Sequence, residues 1–102
     1  MIVVLITASS QKEANLISEK LIKLKLCACV NIIKGISSIY HWKGKVEKSK
    51  EVLLIIKTKK KSLNKLIKKV KELHSYSVPE IIALPILDGN KEYLNWIESV
   101  VG

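Results

Sequence analysis

Apolar residues recur along this chain in two rhythms, and each change of rhythm marks an element. Ile2 to Thr7 is a continuous apolar, β-branched run, the pattern of a central strand buried on both faces. Ser10-Gln11-Lys12-Glu13 then forms a capping-box pattern, in which hydroxyl and carboxylate each satisfy an orphan backbone donor. Ala14, Ile17, Leu21 and Leu24 follow at helical spacing. From Ala28 to Trp42 the residues become β-branched and aromatic, with Gly35 marking a bulge or bend. Val46 to Thr58 returns as the partner strand across the Lys43-Gly44-Lys45 turn. Both strands exceed the usual ~5 to 6 residues, so the hairpin is expected to project beyond its sheet and to seek partners through its edges.

A second helix begins near Ser62, with Leu63, Leu66, Ile67, Val70 and Leu73 on one stripe and lysines opposite. His74 to Pro79 is a connector, because the residue before proline is pushed out of the helical region. Glu80 to Leu87 is a strand, and Pro85 within it indicates an edge position. Asn90 caps a last helix whose Tyr93, Leu94, Ile97 and Val101 face inward. The order βαββαβ plus a C-terminal helix predicts an α+β, ferredoxin-like domain spanning residues 1–102. Its antiparallel four-stranded sheet carries helices on one face and a long hairpin between its second and third strands. That fold hosts many functions, so the residues must decide among them.

Charge narrows the choice. The formal charge is +9, and twelve of the lysines fall between Lys43 and Lys71 against only Glu47 and Glu51. All eighteen basic residues are lysine, so the guanidinium fork that reads phosphates and bases is absent, which argues against specific nucleic-acid binding. A solvated face is the leading reading, beside anion or nonspecific nucleic-acid binding by the lysine-rich helix, Lys59 to Lys71; the composition also suits heat tolerance or a lysine-favouring genome. The N-terminal apolar run lacks the flank and cleavage site of a signal peptide, and nothing approaches the ~18 apolar residues of a membrane span. With Cys27 and Cys29 the only cysteines, a cytoplasmic protein with reduced thiols is expected.

Candidate chemistry is sparse. Cys27 and Cys29 are expected on one pleat face, where soft ions such as Cu(I) suit a thiol pair, although packing is the leading role for both. His74 is the better ligand of the two histidines, and His41 is expected at a surface or interface. Glu47, Glu51 and Lys57 share one strand face if no bulge intervenes, and His74, Tyr76 and Glu80 lie on the connector into the last strand. Together they suit a divalent ion, a small polar ligand or a network that locks subunits together. No nucleophile with a base partner and no Gly-rich phosphate loop is present, so an enzyme is not expected. An acylphosphatase-type site would need arginine, and the paired aromatics of an RNA-recognition sheet are missing. Tyr40 and Trp42 flank the hairpin turn, where burial against another subunit is the expected use.

The segments Ala28-Cys29-Val30-Asn31-Ile32, Ser38-Ile39-Tyr40-x-Trp42-x-Gly44-x-Val46-Glu47 and Ile56-Lys57-Thr58 resemble the CutA divalent-ion tolerance family. The likeness continues through His74-x-Tyr76-x-Val78-Pro79-Glu80-Ile81-Ile82, Gly89-Asn90 and Tyr93-Leu94-x-Trp96-Ile97. It implies a homotrimer of ferredoxin-like subunits, similar in architecture to PII signalling proteins, with hairpins interlocking neighbours and Tyr40, Trp42 and Trp96 at the interface. It also implies no obligatory cofactor and an intersubunit cleft formed by Cys29, Glu47, Glu51, Lys57, His74, Tyr76 and Glu80. That cleft would take copper or another divalent cation, or a small anionic ligand. Against the family pattern, Ser75 replaces a usual proline, Ser77 replaces a common acid and Cys27 is an additional thiol.

Overall fold

A computed structural model describes every residue from Met1 to Gly102. Its elements are β1 (Ile2–Ala8), α1 (Gln11–Lys23), β2 (Cys29–Trp42), β3 (Lys45–Thr58), α2 (Leu63–Leu73), β4 (Ile81–Pro85) and α3 (Lys91–Val100). A short 3-10 turn, Lys60–Ser62, leads into α2. The sheet order is β2-β3-β1-β4 with all neighbours antiparallel, the expected ferredoxin-like arrangement.

Strand parity divides the sheet into two unlike faces. Ile2, Val4, Ile6 and Ala8 stand beside Thr58, Ile56, Leu54 and Val52, and all eight are buried. Ala14, Ile17 and Leu21 of α1 and Leu66 and Val70 of α2 complete this core. Each large side chain contributes about 1.5–3 kcal/mol by leaving water. On the opposite face Val3 and Leu5 pair with Leu84 and Ile82 on one side and with Lys57 and Ile55 on the other. That face is apolar but open: Ile33 is 44% exposed, Ile82 50% and Leu84 47%.

β1 ends at Ala8, opposite Val52, so Lys45–Glu51 has β2 as its sole partner and projects roughly 23 Å at ~3.3 Å per residue. The molecule is accordingly elongated, 44 × 25 × 22 Å. Lys43 (φ 50°) and Gly44 (φ 77°) both take the left-handed conformation that a two-residue type I′ hairpin loop requires. Between Ile33 and Ile36 the register shifts, so that Lys34 and Gly35 together oppose Val52. Gly35, at φ 69°, supplies the backbone for this bulge. The shift exchanges the faces of β2, placing Tyr40 beside Glu47 and Ile36 beside Glu51.

Ser10 caps α1 by accepting from the Glu13 N–H at 3.1 Å. The Glu13 carboxylate does not return to Ser10; it accepts from the Ser9 N–H at 2.9 Å and from the Ser75 N–H at 2.8 Å. Asn90 caps α3 through the Glu92 N–H. Lys59, 9% exposed, ties the end of β3 to Glu98 of α3 at 3.2 Å.

Three expectations need correction. β4 runs over Ile81–Pro85, not Glu80 to Leu87: its ladder with β1 spans Ile6↔Ile81 to Ile2↔Pro85, followed by a single bond from Ile86 N–H to the Met1 carbonyl. Cys27 precedes β2 and belongs to the core, so strand alternation does not put it on one face with Cys29. Tyr93 is 41% exposed; Ile97 and Val101 alone of the expected stripe are buried on α3 and its cap.

Candidate functional site

A cleft of about 770 Å³ lies where the projecting hairpin meets the α2–β4 connector. Tyr40, Trp42 and Glu51 line it from the hairpin, and Tyr76, Val78 and Glu80 from the connector. Glu51 is 7% exposed and accepts a 2.8 Å hydrogen bond from the Tyr76 hydroxyl. Burial and the Glu51 carboxylate raise the Tyr76 phenol above its ordinary range, so it stays a donor at neutral pH. A buried carboxylate held by one phenol is a preorganised seat for positive charge.

The connector reaches this position through His74 and Glu13. Nε2 of His74 donates to the Thr7 carbonyl at 2.7 Å, because a carbonyl can only accept, and Nδ1 accepts from the Tyr76 N–H at 3.0 Å. Both ring nitrogens are engaged within the subunit. The His74 ring also packs on Tyr76, with centroids 4.7 Å apart. His74 therefore positions Tyr76 here; it could act as a ligand only by giving up one of these bonds. Partial burial pushes the Glu13 carboxyl up, but hydrogen bonds from Ser9 and Ser75 outweigh it and hold the group at about 2. Ser75, at the position where proline is usual in the resembled family, supplies an N–H that proline lacks.

Cys29 and Lys57 stand elsewhere. They pair across the β2–β3 ladder at the inner end of the hairpin, with Glu51 six residues further along β3 and roughly 20 Å away at ~3.3 Å per residue. Lys57 donates to Asn31 Oδ1 and to the Ile55 carbonyl. Tyr93 of α3 lies against Cys29, and burial together with that thiol raises its phenol. Burial raises the Cys27 thiol to about 12, which keeps it an inert core group. Glu47 is exposed near the hairpin tip opposite Tyr40. One subunit thus brings Glu51, Tyr76 and Glu80 to one cleft with His74 behind them, and leaves Cys29 and Lys57 in a separate cluster. No three His, Cys, Asp or Glu side chains in the subunit are grouped to hold a metal ion. Sequence reasoning missed Glu13 as the clasp of the connector and Tyr93 as the neighbour of Cys29. The capping-box pattern was the available signal for Glu13; Tyr93 had none.

These features define a ferredoxin-like α+β subunit with a projecting hairpin and a carboxylate–phenol cleft at its root. The model of the CutA1 divalent ion tolerance protein family matches residues 2–100, and the chain belongs to that family. It is 49% identical to the divalent-cation tolerance protein CutA of Thermus thermophilus, over 98% of this chain and 97% of that one. A solved structure of the Thermus thermophilus protein superposes over the whole of both chains with a TM-score of 0.97 and 48% identity. The structure of the periplasmic divalent cation tolerance protein CutA from Archaeoglobus fulgidus likewise covers both chains completely, with a TM-score of 0.96 and 42% identity. Rice protein CutA 1, described as chloroplastic, is 47% identical over 96% of this chain, which spans 55% of that relative's length. No helix here is long and apolar enough to cross a membrane.

Proposed function

We propose that this chain acts as a homotrimer, the assembly its family resemblance implies, and binds copper or another divalent cation reversibly in clefts between subunits, without turnover. The observation that carries the reading is the Glu51–Tyr76 pair, a 7% exposed carboxylate in a cleft it shares with Glu80. Two acids and a phenol make an incomplete shell. Cys29 of a neighbouring subunit, brought across the interface, supplies the softer donor that copper favours. The open apolar face and the free outer edges of the projecting hairpin support assembly, since both are costly to leave in water. Tyr40, Trp42 and Trp96, each between 41% and 43% exposed, are the aromatic anchors of that interface. Reduced thiols fit a cytoplasmic setting, and both cysteines are free.

Native mass spectrometry of protein purified without chelator, followed by copper titration, tests the reading. Retained or titratable metal that weakens at least tenfold in Glu51→Gln and in Cys29→Ala is the expected result. Affinity unchanged in both variants contradicts it.

A second reading, a PII-like sensor of a small anion, draws on Lys57. Its half-buried ammonium bonds only to neutral oxygens, so its charge has no acidic partner. A nucleotide or acidic metabolite that raises the melting temperature of the parent protein, with the shift lost in Lys57→Gln, favours this reading over metal binding.

A further inference from the structure

A second cleft, between α2 with its leading 3-10 turn and the segment Leu24–Leu26 that follows α1, shares no residue with the first. It measures about 580 Å³ and is walled by Lys25, Lys61, Lys65, Lys68 and Lys69, with Glu72 its single acid. Of these lysines only Lys69 has an acidic partner, Glu72 at 2.7 Å. A shallower groove continues round α2 past Lys68 and Lys71.

This arrangement works against the helix that bears it. Lys65 and Lys69 are like charges at i,i+4, and Lys65/Lys68 and Lys68/Lys71 are like charges at i,i+3; all three pairs destabilise a helix. α2 also starts with no side-chain cap and no acid in its first turn, and Lys60 and Lys61 sit at the positive end of its dipole. In α1 and α3 the opposite holds, with Ser10 and Glu13, and Asn90 and Glu92, at their starts. Lysines serving heat tolerance would be expected in ion-pair networks, whereas four of the five here have no such partner. A local rule broken without an internal gain marks a surface shaped by something it binds.

The geometry points to this groove as a binding site for a linear polyphosphate anion held by charge alone. The cleft contains no arginine to fork a phosphate or base and no aromatic ring to stack one, its apolar lining being Leu24 and Leu26. Nothing in it would reward a nucleobase. Lys65 and Lys69 stand about 6 Å apart along the helix axis, so successive ammonium groups can follow a flexible chain of phosphates. The groove shares no residue with the hairpin or with the open sheet face.

End-labelled inorganic polyphosphate, titrated with the whole protein across a salt series and competed by oligothymidylate at equal phosphate concentration, tests the inference. Replacing Lys65, Lys68 and Lys69 together by glutamine is expected to weaken binding at least tenfold and to flatten the log K against log salt slope by about two. Removing the same charge elsewhere, in Lys12→Gln/Lys34→Gln/Lys91→Gln, is expected to change affinity less than twofold. Equal losses in the two triple variants would reduce the effect to net charge and overturn the site. Oligothymidylate binding as tightly as polyphosphate would overturn the choice of ligand. A thermal melt accompanies each variant; should the groove triple unfold early, Lys65→Gln alone, expected to lose about threefold, decides the matter, and no loss there overturns the site.

Discussion

At its inner end β3 runs between β2 and β1, and Val52, Leu54, Ile56 and Thr58 are buried against α1 and α2. At its outer end the same strand has only β2 beside it, and Ile39, Trp42 and Val46 are 67%, 43% and 62% exposed. The inner half is a complete solution to the folding problem: apolar residues at every second position, helices above them, hydrogen bonds on both edges. The outer half of β3, Lys45–Glu51, is mostly charged, with Val46 its one β-branched residue, and it has no such cover. Its stability as a strand pair must come from elsewhere, because an isolated hairpin is marginal in water. The contrast separates what the chain stabilises by itself from what the proposed assembly would cover.

The largest effect belongs to the inner half. Leu54→Ala removes a fully buried side chain and should cost about 2–5 kcal/mol, read as a lower melting temperature whose size does not depend on protein concentration. Trp42→Ala at the outer half should leave the chain folded yet weaken the proposed association by about 2 kcal/mol, so that the concentration dependence of melting expected of the associated parent shrinks in the variant. If Trp42→Ala instead destabilised the subunit as Leu54→Ala does, the division between the halves would fail.

Tyr76→Phe tests the junction. It strips the buried Glu51 carboxylate of its donor and should cost about 1–3 kcal/mol by denaturant unfolding, together with metal affinity if the cleft binds as proposed. Glu13 contributes next, and its sign follows from linkage. Its folded value of about 2 lies below the ordinary 4.5, so its stabilisation is complete above about pH 4.5 and disappears as pH falls through 2. The gap in melting temperature between the parent and Glu13→Gln should therefore close across that window; a gap constant with pH would remove Glu13 as the clasp. The smallest effect is at the tip. Lys43 occupies a left-handed position that asparagine adopts more easily, so Lys43→Asn should raise stability by less than ~1 kcal/mol, visible in hydrogen exchange of the outer half before it is visible in global melting.

The sequence foretold the inner architecture closely because hydrophobic period is a local signal that burial enforces. The β1 run, the Ser10 cap, the Gly35 bulge, the hairpin turn and the α2 stripe all stand where the pattern indicated. The site was less legible. Parity correctly grouped Glu47, Glu51 and Lys57 on one side of β3, but parity carries no distance, and six residues of strand separate Glu51 from Lys57. His74 looked like a free ligand because its two hydrogen bonds come from Thr7 and from the connector's own backbone, neither of which has a sequence signature. Cys27 and Cys29 looked like a pair because the onset of β2 could not be located to one residue.

That division also bears on the cleft. Glu51, Tyr76 and Glu80 meet at the root of the outer half, while Cys29 and Lys57 stay at the inner end, so the proposed site, which uses both groups, requires a second copy of the chain. Sedimentation equilibrium on the parent protein, with Trp42→Ala beside it, measures this most directly. A parent mass of three chains that falls toward one in the variant is the predicted result; a parent that remains a monomer at micromolar concentration would contradict the account.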